Sequence, residues 1–164
     1  MCLFFCVPIK FGIFYSVREK SRKLLFGLRL FFTKNAHKIR YAVMERKGEY
    51  MLLKMINNTL AVSVTGDMDH HNVGLMRSEI DRAIREKPVK NVVFDLSKLD
   101  FMDSSGVGLM LGRYKLIKEL GGSVFIAGAK PAVERIINVS GLHKIIPIYE
   151  SMDKAIKTVC GTAT

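Results

Sequence analysis

The sequence predicts an α/β domain in which helices pack against a mixed β-sheet, in the order β-β-α-β-α-β-α-β-α. Three observations carry this. Two short apolar runs, residues 51–56 and 60–65, are separated by Asn57-Asn58, which tolerate the left-handed backbone of a tight turn, and so read as a hairpin. Two later runs, NVVFDL at 91–96 and SVFIA at 123–127, are apolar almost throughout, as strands covered on both faces are. Around them the apolar residues recur at helical spacing, so strands and helices alternate and right-handed crossovers join the later strands.

At 164 residues the chain is long enough for one domain and its core, and too short to call for two. Its net charge of +11 is unevenly spread: residues 1–43 hold nine Lys/Arg against one acid, residues 44–164 hold 17 against 14. The basic excess therefore belongs to the N-terminal stretch, and the rest shows no basic stripe of the kind nucleic acid requires. Residues 1–43 combine Phe-rich clusters with Arg and Lys and are set apart from the domain, which is placed at 44–164. They read either as a basic amphipathic segment for an anionic membrane surface or as sequence upstream of the true start. A signal peptide would carry its basic residues before the apolar run rather than after it. A membrane span is interrupted by Pro8 and Lys10, so stable insertion is not expected. Cys2, Cys6 and Cys160 form neither a disulfide framework nor a zinc pattern, which suits a reducing cytoplasm.

The elements follow in order. Asp69, after Gly66-Asp67-Met68, can cap a helix to about Lys87, with Val73, Met76, Ile80, Ala83 and Ile84 as its buried stripe. Arg77, Glu79, Asp81, Arg82 and Arg85 are expected to face water, and Pro88 ends the helix. After the strand at 91–96, residues 97–103 read as a loop, and a second helix follows with Val107, Met110, Leu111, Tyr114 and Ile117 as its stripe. Gly121-Gly122 stops it. Beyond the strand at 123–127, Pro131 opens a helix through Ser140, residues 144–148 form a short strand and 152–160 a last helix.

The chemistry concentrates at residues 99–115, LDFMDSSGVGLMLGRYK. Asp103 and the serines can cap the second helix, and the positive end of a helix dipole is a place where an added phosphate is tolerated. A nucleophilic Ser104 would need a base and an oxyanion hole, yet residues 44–164 contain only His70, His71 and His143, and no GxSxG elbow. Gly106-Val107-Gly108 lacks both phosphate-loop fingerprints, so no nucleotide cofactor is expected, and its glycines suit close approach of a neighbour. Asp69-His70-His71 looks metal-like, but adjacent histidines share no helix face, so a turn and cap reading is preferred and no metal is expected. Arg113 and Lys115, flanking Tyr114, read as a solvated flank where a partner could dock.

GDMDHH at 66–71, FDLSKLDFMDSSGVGLMLGRYK at 94–115, GGSVFIAG at 121–128 and PAVERIINVSGLHKII at 131–146 together resemble the anti-sigma factor antagonists of the STAS fold, nearest to the sporulation branch that acts on anti-sigma-F factor. The resemblance spans about residues 50–160 and implies a single STAS domain that is a cytoplasmic, monomeric switch rather than an enzyme. It implies an unphosphorylated form that binds an anti-sigma factor serine kinase and frees a sporulation sigma factor, phosphorylation at Ser104, and reversal by a serine phosphatase. It further implies partner contacts through Asp103, Ser105, Gly106, Asp69, His70, Arg113 and Tyr114. A module of a general-stress pathway or stressosome, a piece of an anion transporter, and a serine or metal-dependent hydrolase stay open as alternatives.

Overall fold

The computed structural model describes residues 40–46 and 49–161, with side chains from 51 to 159. Six strands form one sheet in sequence order: β1 (Arg40–Arg46), β2 (Glu49–Ile56), β3 (Thr59–Met68), β4 (Asn91–Met102), β5 (Ser123–Ala127) and β6 (Ile148–Tyr149). The first three pair antiparallel and the last four parallel, which gives the mixed sheet expected. Asn57, at φ 53°, makes the hairpin turn between β2 and β3.

Helices α1 (His70–Glu86), α2 (Ser104–Glu119) and α3 (Pro131–Val139) are the crossovers. Their buried residues, Met76, Ile80, Leu109, Met110, Ile117, Val133 and Ile137 among them, share a core with Val92 and Phe94 of β4. Helix α4 (Met152–Gly161) instead packs Ala155 and Val159 on Val93 and Ala127. Val92 and Val93 are consecutive residues of one strand and so point to opposite faces. Three helices therefore lie on one face of the sheet and α4 on the other.

The element order expected from sequence is one strand short. Strand β1 runs across the division placed between residues 43 and 44, and its alternation is broken by a bulge between Ala42 and Met44, so it gave no period-two signal. Most of the basic and apolar stretch before it lies outside the described residues. The loop expected at 97–103 is strand as far as Met102, because β3 also continues past the expected turn and the two stay paired from Thr65↔Lys98 to Met68↔Met102. Gly66, at φ 85°, sits at a register shift in place of that turn. The strand expected at 144–148 is displaced: residues 142–144 form a 3-10 turn after left-handed Gly141, and Pro147, which has no N–H to give a ladder, accepts from Ile126 N–H instead.

The α2 stripe also lies one residue out of phase with the expected one. The buried positions are Gly106, Leu109, Met110, Arg113 and Ile117, while Val107, Leu111 and Tyr114 are half-buried against the core. Two of the five buried residues are a glycine and an arginine, which a hydrophobic pattern cannot register.

Candidate functional site

Strands β3 and β4 end side by side, so α1 and α2 begin side by side, each with an aspartate at its N-cap. Asp69 Oδ1 accepts from the N–H groups of His71 (2.9 Å) and Asn72 (3.1 Å). Asp103 does more. Its Oδ1 accepts from the N–H of Ser105 (2.7 Å) and Gly106 (3.3 Å), and its Oδ2 from the N–H of His70 at the start of the other helix (3.2 Å). One carboxylate thus clamps two helix starts together. Partial burial pushes the Asp103 carboxyl up, and the donated backbone N–H groups of Ser105, Gly106 and His70, with the Ser105 hydroxyl, outweigh it and leave the group below its ordinary 3.8.

This arrangement separates the two serines. Ser105 is half-buried and its hydroxyl is turned to Asp103. Ser104, the first helical residue, is exposed, and its hydroxyl has no hydrogen-bond partner among the described residues. Gly106 is buried, and a Cβ there would stand 2.6 Å from Met102 Cγ and 2.9 Å from Met68 Sδ. The close approach it permits comes from the protein's own methionines below, Met102 and Met68. His70 is exposed and Asp69 is occupied as a cap.

Arg113 and Tyr114 are not brought to this site. They lie nine and ten residues along α2, on the order of 14 Å of helix axis from Ser104. Arg113 is buried, not part of a solvated flank: its Nη2 donates to Asp81 Oδ2 of α1 at 3.2 Å, and its Nε lies 3.1 Å from Oδ1 without hydrogen-bond alignment. Asp81, expected in water, is therefore the partner that makes this burial tolerable. Burial lowers the Arg113 pKa, Asp81 opposes that, and nearby Arg77 adds to it.

A cleft of about 500 Å³ opens beside Ser104, lined by Met102, Asp103, Ser104 and Val107 on one side and Arg135, Ile136, Val139 and Ser140 of α3 on the other. Val139, 86% exposed, adds apolar surface on the α3 wall. The α3 wall was missed in the sequence because PAVERIINVS reads as an ordinary amphipathic helix; an exposed valine at its end is the one signal present. Among the described residues no group of His, Cys, Asp and Glu is placed to hold a metal, and no helix is long and apolar enough to cross a membrane.

The cap carries a testable cost. Asp103→Ala should lower stability by about 1 to 2 kcal/mol near neutral pH, since three backbone donors lose their acceptor. A carboxyl whose folded pKa is depressed stabilises above its unfolded value and loses that contribution as pH falls through the folded one. The gap between parent and variant in urea denaturation should therefore close below about pH 4; a gap that held constant to pH 2 would remove the carboxylate from this role.

The STAS domain pattern matches residues 50–155. An anti-sigma F factor antagonist of Paenibacillus polymyxa is 44% identical over 92 residues, covering 56% of this chain and 79% of the relative. One from Lysinibacillus sphaericus is 33% identical, covering 57% and 80%. The solved structure of the anti-sigma factor antagonist SpoIIAA in its unphosphorylated form superposes with a TM-score of 0.63 at 32% identity, over 68% of this chain and 96% of that one. Paired helix starts at the carboxyl edge of a mixed sheet, a match over most of the described residues and these likenesses agree: the chain belongs to the STAS-domain family.

Proposed function

We propose that the chain is an anti-sigma factor antagonist whose unphosphorylated form docks, through the surface around Ser104, on a partner that is both anti-sigma factor and serine kinase. The partner transfers a phosphoryl group from a nucleoside triphosphate to Ser104. The Ser104 Oγ–P bond forms, the bond to the β-phosphate oxygen breaks, the diphosphate leaves and the hydroxyl proton passes to the partner's base. A serine phosphatase reverses the step, and the chain itself is a monomeric, cytoplasmic regulator rather than an enzyme. The sporulation sigma-F pathway is favoured because relatives that antagonise anti-sigma F factors reach 44% identity, whereas one that antagonises an anti-sigma-B factor, from Bacillus subtilis, stands at 25%.

The observation that carries this reading is the exposed, unengaged hydroxyl of Ser104 at the first turn of α2, next to a Ser105 that is half-buried. Phosphorylation adds about −1.5 to −2 charge at the first turn of α2, where a docked partner meets it, and the helix start tolerates that charge without refolding. A relative solved in its phosphorylated form, the Bacillus cell fate determinant SpoIIAA, matches with a TM-score of 0.56 at 31% identity.

The test pairs pull-down with intact mass, using the anti-sigma F factor of Paenibacillus polymyxa and ATP. The parent and Ser105→Ala should each gain one phosphate at residue 104 and lose the complex. Ser104→Ala should bind and gain none, and Ser104→Asp should bind at least about tenfold more weakly. Peptide mapping that places the phosphate elsewhere, or a phosphorylated chain that binds undiminished, overturns the reading.

A further inference from the structure

The cleft beside Ser104 has a second wall, and that wall carries a charge. Arg135 of α3 lines the cleft opposite Ser104 and makes no ion pair or hydrogen bond among the described residues. The nearby lysine of the same region is committed: Lys130 Nζ lies 2.6 Å from Asp100 Oδ1. The carboxylate in the cleft, Asp103, is engaged by three N–H donors from two helices. Otherwise the lining is Met102, Val107, Ile136 and Val139, with the Ser140 hydroxyl turned back to Ile137 O. A volume of about 500 Å³ is ample for a phosphate group.

We propose that Arg135 is the internal receptor of the phosphate on Ser104: the phosphoryl group turns into the cleft between α2 and α3 and pairs with the Arg135 guanidinium. The planar fork of a guanidinium matches two phosphate oxygens at once, and it is strongest where apolar walls exclude water. The partner-facing consequence differs from repulsion alone. A phosphate bridging the walls covers Val107, Ile136 and Val139, so modification removes an apolar docking surface as well as adding charge. Arg135 acts here as a positioning residue, and the inference rests on Ser104 being the modified residue.

The test installs phosphoserine at position 104 of the full chain by semisynthesis, so it proceeds whether or not any kinase recognises the protein. The second ionisation of the phosphate is followed by phosphorus NMR, and the Arg135 side chain by its Nε–H resonance. Asp103, His70 at the start of α1 and the Lys130–Asp100 pair are present in every background, so the effect of Arg135 is read as a difference between variants. Replacing Arg135 by Gln should raise the phosphate pKa by about half a unit or more, and Arg135→Lys should restore part of the shift. In the parent, phosphorylation should move the Arg135 Nε–H signal. Arg135 is exposed, so both variants are expected to fold, and a circular dichroism melt matching the parent establishes it. Identical phosphate titrations in the parent and Arg135→Gln, with an unmoved Nε–H signal, overturn the inference. Absence of kinase transfer to Ser104 would instead count against the proposed function and leave this result standing.

Discussion

Gly122→Ala should cost the domain about 3 kcal/mol or more, the largest loss expected from adding a single methyl group anywhere among the described residues. Gly122 follows α2 and precedes β5, and its N–H donates to Ile117 O at 2.9 Å. A Cβ at this position would stand 1.7 Å from the carbonyl oxygen of Lys90 and 2.9 Å from Ile117 Cγ2. The obstacle is backbone at the mouth of β4, which cannot swing away as a side-chain tip can. Either β4 or the end of α2 must shift, and both belong to the sheet and helix that hold Ser104 in place. Urea denaturation measures the loss. Gly112→Ala is the control, because nothing lies within 4 Å of its Cβ position inside α2, and there the methyl should stabilise by about 0.5 to 1 kcal/mol through helix propensity. Equal effects at the two positions would show that crowding at Lys90 does not decide the outcome.

Asp81→Ala should destabilise by about 2 to 3 kcal/mol, because it strips the counter-charge from a guanidinium already held out of water. Arg113 Nη1 is buried without a hydrogen-bond partner, so the pair is not an ideal one, and the desolvation of Arg113 is already poorly offset. That predicts an asymmetry. Replacing both partners, Asp81→Leu with Arg113→Met, should recover most of the loss, whereas either single change should not. A double variant as unstable as Asp81→Ala would mean the pair contributes specific geometry that apolar packing cannot replace. Neither residue touches the surface around Ser104, so phosphorylation at 104 should persist in any folded variant.

The sheet-and-helix alternation was readable because its signals are redundant: the Asn57 turn, the apolar stretches of β4 and β5, Pro131 and the glycines after α2 each mark a boundary independently. The departures have specific causes. Residues 40–46 concealed a strand because a bulge broke their alternation, and residues 97–102 concealed strand because their pairing with β3 is a long-range fact. Gly106 and Arg113 occupy core positions for reasons of room and counter-charge, neither of which hydropathy encodes. At the site, Asp69, Asp103 and Ser104 were legible as helix-start residues. The reach of Asp103 to a second helix, and the opposing wall with Arg135, appear only when α1 and α3 are folded beside α2.

Among the described residues the two borders of the sheet are built differently, and neither is a good template for another chain. At one, β6 offers only Ile148 and Tyr149, too short a ledge for a stranger to zip onto. At the other, the irregularity between Ala42 and Met44 interrupts the even row of amides that a neighbour would have to match. Among the described residues, margins of this kind disfavour edge-to-edge pairing with a second chain.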